Sequence, residues 1–235
     1  MRLNVHTGGD GERTALLVHG AMSDHRTWHA VEAALIGRGY RVVAPDMRGH
    51  GLSARGVYTP ELLADDLVES LGESLPEGAD LAIGHSMGGL ALSLAVERLR
   101  PRRAVYYDPA WQFSAVRPGD LAAMRAMVAA ASPAAIAENN PRWSEADVQA
   151  EAAGFALFDP EFFGMVEACA GRDYIPERPV VPSLVQLADP SFTISPEGAD
   201  RLKERGFEVR VVAGTGHCSH RDDFAAYMES LEGWI

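Results

Sequence analysis

The stretch Asp80-Leu-Ala-Ile-Gly-His-Ser-Met-Gly-Gly89 constrains this chain more than any other. Residues 81–83 are a short apolar run, Gly84-His85-Ser86-Met87-Gly88 interrupts it, and an apolar-periodic segment over 90–99 begins at once. That order reads as strand, tight turn and helix. Such a turn forces its serine into strained backbone angles, and small residues two before and two after it let strand and helix approach. The Ser86 hydroxyl then stands clear of the sheet, and the opening turn of the helix offers backbone N–H groups where negative charge develops. The blander reading of the same residues is a glycine-rich turn with an inert serine.

The flanking chain alternates in the same way. Residues 3–6 form a short strand. Gly8-Gly9-Asp10-Gly11 follows as a turn; no lysine comes after it and no helix opens from it, so it is no phosphate cradle. Residues 14–19 and 41–45 are continuous apolar runs, the mark of strands buried on both faces. Helices are expected over 28–38 and 60–71, the second entered by Pro60, and a further strand over 103–107 ends in Asp108-Pro109. From 110 to 180 the strand signal lapses, and helical patterns over 121–131, 145–155 and 160–169 take its place. Alternation returns with a strand over 181–187, a helix over 196–204, a strand over 207–213, the loop Gly214-Thr215-Gly216-His217 and a last helix over 222–234. The expectation is an α/β protein with a mostly parallel sheet, whose core is residues 1–109 and 181–235. Residues 110–180 would be a helical cap or lid.

Composition narrows the partners. The 235 residues suffice for one substantial core, and a formal net charge of -12, with 33 acidic against 21 basic residues, repels nucleic acid and anionic membrane. Cys169 and Cys218 have neither disulfide-framework nor metal-like spacing. The start lacks a signal-peptide core and no apolar run reaches membrane-span length, so a cytoplasmic protein is expected. His25 with His29, and His217 with His220, imitate ligand pairs, but neither has a third well-placed ligand. No metal and no cofactor are expected.

Ser86, Asp108, Asp189 and His217 all fall at the carboxyl ends of expected strands, where parallel-sheet proteins gather their sites. An imidazole can take a hydroxyl proton, and a carboxylate can fix its tautomer and stabilise the imidazolium.

Four motifs in order, His19-Gly20, Asp46-Met-Arg-Gly-His-Gly51, Gly84-His-Ser-Met-Gly88 and Gly214-Thr-Gly-His217, make the chain resemble the α/β-hydrolase superfamily over nearly its full length. The resemblance implies Ser86 as nucleophile, His217 as base, and an oxyanion hole from the backbone N–H groups of Ala21 and Met87. It makes His19, His50 and His85 framework histidines. The acid is the point of departure from the pattern: Asp189 is the preferred position, with Asp108 as the alternative. The implied activity is a serine hydrolase of a small carboxylic ester, lactone or thioester. The alternatives are a non-hydrolytic enzyme of the same fold (lyase, carbon–carbon bond hydrolase or acyltransferase) and a non-catalytic small-molecule binding protein. Met22, Trp111, Met124, Phe158 and Phe162 are candidates to line an apolar or aromatic acyl pocket, and Arg48, Arg117 or Arg172 could meet an anionic substrate.

Overall fold

A computed structural model describes residues 1–72, 74–113 and 118–235, so Arg117 lies outside the described residues. Among these, seven strands form one sheet: β1 (Val5–Gly8), β2 (Arg13–Val18), β3 (Tyr40–Pro45), β4 (Leu81–His85), β5 (Ala104–Tyr107), β6 (Ser183–Leu187) and β7 (Glu208–Val211), in the order β1-β3-β2-β4-β5-β6-β7. β1 runs antiparallel to β3, with Val5 opposite Pro45. Every other pairing is parallel.

The apolar runs of the sequence acquire their two faces here. Leu16, Val18, Val43, Ala82, Tyr106 and Val185 point to one side of the sheet. There they pack on α2 (Pro60–Leu71), α3 (Met87–Leu99) and α8 (Pro196–Glu204). Ala15, Leu17, Val42, Ile83, Val105 and Leu184 point the other way, against α1 (His29–Ile36) and α10 (Phe224–Glu229). Successive strand residues alternate sides, so both layers are buried and the central strands are mainly apolar, while the edge strands β1 and β7 carry polar residues.

Between β5 and β6 runs an inserted helical region: α4 (Pro118–Ala129), α5 (Pro133–Asn139), α6 (Glu145–Leu157) and α7 (Phe163–Ala168). α5 was not anticipated, although its signal was present: Ser132 accepts from the Ala135 N–H and Pro133 opens the helix. α6 begins in a reciprocal cap between Ser144 and Asp147. The single last helix expected over 222–234 is instead α9 (Ser219–Asp222) and α10, because Asp223 leaves the helical conformation and caps a new start by accepting from the Ala226 N–H. The first strand sits two residues later than expected. Leu3 turns into the core, and its N–H donates to Ser70 Oγ. Among the described residues no helix is long and apolar enough to cross a membrane.

Candidate active site

Ser86 occupies the turn between β4 and α3 with φ at 52°, in the left-handed region. A serine there carries strain that the surroundings must hold in place. Its N–H donates to the Tyr107 carbonyl, and its own carbonyl accepts from Leu90 and Ala110. The flanking glycines are needed for space: a Cβ on Gly84 would lie 2.5 Å from the Gly88 carbonyl oxygen, and one on Gly88 would lie 2.3 Å from that of Val18.

His217 hangs in the loop after β7. Its carbonyl accepts from His85 Nε2 at 2.9 Å, and its ring packs between those of His85 and Phe192. Its Nδ1 donates to Asp108 Oδ2 at 2.5 Å. Asp108, at the end of β5, is fully buried, and its Oδ1 accepts from the Ala188 N–H. Acceptance by a carboxylate fixes the proton on Nδ1 and leaves Nε2 as the basic nitrogen.

Asp189 does not meet His217. It is exposed, and its Oδ2 accepts from the Gly214 N–H at 3.1 Å while its backbone N–H donates to Thr215. It shapes the turn that carries the histidine loop. The preference for Asp189 is therefore corrected on geometry: β5 ends directly beneath the histidine, and the carboxylate at that end reaches Nδ1 first.

Met87 is the first residue of α3, so its N–H has no intrahelical acceptor, and among the described residues neither it nor the Ala21 N–H donates to a backbone carbonyl. Both residues line the same chamber as Ser86 and His217. Gly20 lets the Ala21 loop come this near, since a Cβ there would lie 3.3 Å from Ser86 Cβ.

The three framework histidines tie loops together. His19 donates from Nδ1 to the Gly20 carbonyl and accepts the Met47 N–H on Nε2. His50 donates to the Arg48 carbonyl and packs on Phe158 and Phe162. Burial holds His19 and His85 below their ordinary range and His50 down to about 3, so these rings stay neutral. His220, which the sequence reading passed over as half of a ligand pair, is a further buried ring, paired with the Tyr107 hydroxyl.

The chamber beside Ser86 has a volume of about 380 Å³. Of the five expected pocket residues, Met22, Met124 and Phe162 line it. Trp111 and Phe158 do not: Trp111 is fully buried and donates from Nε1 to Ser93 Oγ, while Phe158 packs on Phe162 and Phe163. Periodicity could not separate these, because a core face and a pocket face of a helical region are both apolar. Phe192, missed in the sequence, lies at the chamber against His217 although most of its surface is exposed. No arginine or lysine is among the described lining residues. Arg48 is buried and engaged by both oxygens of Asp66. Arg172 does not line the chamber.

Neither histidine pair converges on a metal position, since His29 Nε2 meets Asp147 and His220 meets Tyr107. A group of Asp24, His25 and Asp46 does come together, but its atoms are engaged. Asp46 Oδ1 accepts from the His25 backbone and ring, its Oδ2 accepts from Asn4 and Leu52, and Asp24 holds Arg26. These hydrogen bonds overcome burial and keep Asp46 well below the usual carboxylate range.

The sequence also matches a family model over most of its length. The model described as Alpha/beta hydrolase family matches residues 15–228. The chain belongs to that family. Among curated α/β hydrolase relatives, the probable esterase PIR7A of Oryza sativa subsp. indica is 35% identical over 92 residues, 38% of this chain and 35% of that protein. Methylesterase 10 of Arabidopsis thaliana is 36% identical over 93 residues, 38% of this chain and 34% of that protein. The chain thus spans about a third of the length of the curated relatives it matches. Among solved structures, an acid deformylase from Pseudomonas putida superposes with a TM-score of 0.80 at 20% identity, covering 97% of this chain and 94% of that one. An E-2-(acetamidomethylene)succinate hydrolase superposes with a TM-score of 0.77 at 23% identity, covering 97% and 93%. These two likenesses establish the α/β hydrolase fold.

Proposed function

We propose that this chain is a serine hydrolase that cleaves a neutral carboxylic ester, lactone or thioester through an acyl-enzyme on Ser86. The observation that carries the reading is the buried Asp108 held on His217 Nδ1, with Ser86 on its strained turn in the same apolar chamber. His217 Nε2 takes the Ser86 proton as Oγ attacks the carbonyl carbon. The tetrahedral oxyanion collects the Ala21 and Met87 N–H groups, which donate to no backbone carbonyl among the described residues. His217 then returns the proton to the leaving alcohol, and water attacks the ester on Ser86 by the same route. Asp108 stabilises the imidazolium through its hydrogen bond to Nδ1.

The substrate follows from the walls. A chamber of about 380 Å³ is near the lower end of ligand pockets, which span roughly 300–1,000 Å³, and suits a small or medium acyl group. Leu121, Met124, Phe162 and Met165 make it apolar, and no described arginine or lysine faces it to hold a carboxylate. A neutral aliphatic or aromatic acyl group fits better than an acidic one, in contrast to the succinate named for one structural neighbour. Helices α4–α7 serve as the cap on residues 1–109 and 181–235, and acyl-group discrimination resides in α4 and α7. Relatives named esterase and methylesterase support the reaction class.

The test is a fluorophosphonate probe followed by intact mass. One adduct on Ser86, lost in Ser86→Ala together with hydrolysis of an ester panel, is the expected result. A folded protein that stays unlabelled and turns over no ester removes the proposal.

A further inference from the structure

Glu151 belongs to the inserted helix α6, yet it touches both loops that the reaction needs. Its Oε2 accepts from Ser23 Oγ at 3.1 Å and from Arg221 Nη1 at 2.8 Å. Ser23 stands two residues after Ala21, and Arg221 four residues after His217. All three side chains lie on buried residues. Arg221 is held from its other sides, with its guanidinium over the Trp143 ring at 4.4 Å and its Nε donating to His220 Nε2.

The contact is not an isolated one. Asp147, Glu151 and Gly154 fall on one stripe of α6. Asp147 Oδ1 accepts from His29 Nε2, and a Cβ on Gly154 would lie 2.9 Å from the Met22 carbonyl oxygen. This stripe is therefore seated on the segment that runs from Met22 into α1. The wall it completes is thin. Met22, Glu151, His217 and Cys218 border both the chamber with Ser86 and a second hollow of about 550 Å³ under α4–α6. Apolar packing in this wall seats Met22 on the small cluster of Ile136, Val148 and Phe155, and the polar contacts of Glu151 are what spans both loops.

We propose that Glu151 is a positioning residue for the reaction at Ser86: it fixes the oxyanion loop and the histidine loop relative to each other, making α6 a fixed wall of the site. This rests on the serine-hydrolase reading above. Loss of the strut lets Ala21 and His217 drift separately. A misplacement of about 1 Å in such a constellation lowers turnover by on the order of 10²-fold.

The experiment compares wild type, Ser23→Ala, Glu151→Ala and the double variant Glu151→Met with Arg221→Met. Glu151→Ala leaves Arg221 buried without its partner and can unfold the chain; the double variant removes both charges and keeps the volume filled. Expected in the double variant is a melting temperature near that of wild type, kcat on a short-chain ester lowered about 10- to 100-fold and KM little changed. Ser23→Ala, which frees one loop only, should show a smaller kcat loss. Hydrogen exchange of residues 20–24 and 214–222 should rise together in the double variant and only over 20–24 in Ser23→Ala. A folded double variant with wild-type kcat and unchanged exchange in both segments overturns the proposal. If wild type neither takes up a fluorophosphonate nor hydrolyses an ester, the function reading falls and with it the catalytic part of this one. The exchange data then still decide whether Glu151 couples the two loops.

Discussion

Asp108 Oδ2 accepts the Nδ1 proton of His217 at 2.5 Å, across a sequence separation of 109 residues. Asp189, close to the histidine loop, spends its Oδ2 on the Gly214 N–H instead. Asp108→Asn should therefore lower kcat by about 10²–10⁴-fold with the fold retained, because an amide presents the wrong group to Nδ1 and lets the imidazole adopt the wrong tautomer. Asp189→Asn should cost less than tenfold, as roughly one neutral hydrogen bond replaces a charged one in the turn. Steady-state kinetics beside thermal melts check both, and the opposite ranking would return the acid to Asp189.

Crowding at the serine turn makes a second prediction. A methyl group on Gly88 meets the Val18 and His19 carbonyl oxygens at 2.3 and 2.5 Å, and neither is a flexible chain end. Gly88→Ala must push α3 off the sheet, at a cost of about 1–3 kcal/mol or more. Fluorophosphonate labelling should fall further than stability does, since Met87 and Ser86 move with the helix. Urea unfolding and labelling rate, measured on one preparation, separate the two effects.

Chamber volume should be readable in acyl preference. Met124, half-buried on α4, lines the wall opposite the core. Met124→Trp should leave an acetate ester little affected and lower kcat/KM for longer acyl chains by about tenfold or more, since each lost methylene contact in an apolar pocket is worth roughly 1–3 kcal/mol. A chain-length series of esters of one common alcohol decides it. Uniform loss across the series would place Met124 outside the acyl path.

Stability should fall steeply on the acid side. Burial keeps His19, His50, His85 and His220 below their ordinary value, and neighbouring cationic groups or histidines add to this for all four. The unfolded chain protonates all four below about pH 6.5, while the folded one does not. Their contribution is thus complete above that value and lost as the pH falls from it toward the depressed folded values. The slope reaches up to about 5 kcal/mol per pH unit where all four differ, against a typical total of roughly 5–15 kcal/mol. His25 has the opposite sign. Its hydrogen bond to Asp46 raises its value, so its contribution is present below pH 6.5 and lost as pH rises through the raised value. Urea midpoints at several pH values from 7 to 4.5 should drop sharply below 6, and His50→Asn should reduce the slope by about one proton. A flat profile contradicts the account.

The local features of this protein were legible in its residues. The apolar runs, Pro60 and Pro196 at helix starts, and Gly84 and Gly88 around Ser86 act within a few residues of one another. Their physics is that of backbone sterics, caps and two-faced burial, and these operate before any long-range contact forms. The same holds for Ser86 and His217, each marked by the turn that presents it. Choices among distant groups were not legible. Asp108 and Asp189 both stand at strand ends before a proline, and only the arrangement of β5, β6 and the histidine loop decides which carboxylate reaches Nδ1. Trp111 and Phe162 are both large and apolar, and one fills the core while the other faces the chamber. Nothing in the residues around Glu151 sets it apart, and only folding places it between Ser23 and Arg221, 128 residues before it and 70 after it. Hydrophobic pattern sets whether a side chain leaves water, but what it then meets is set by how the elements dock, and no periodicity within one element carries that information.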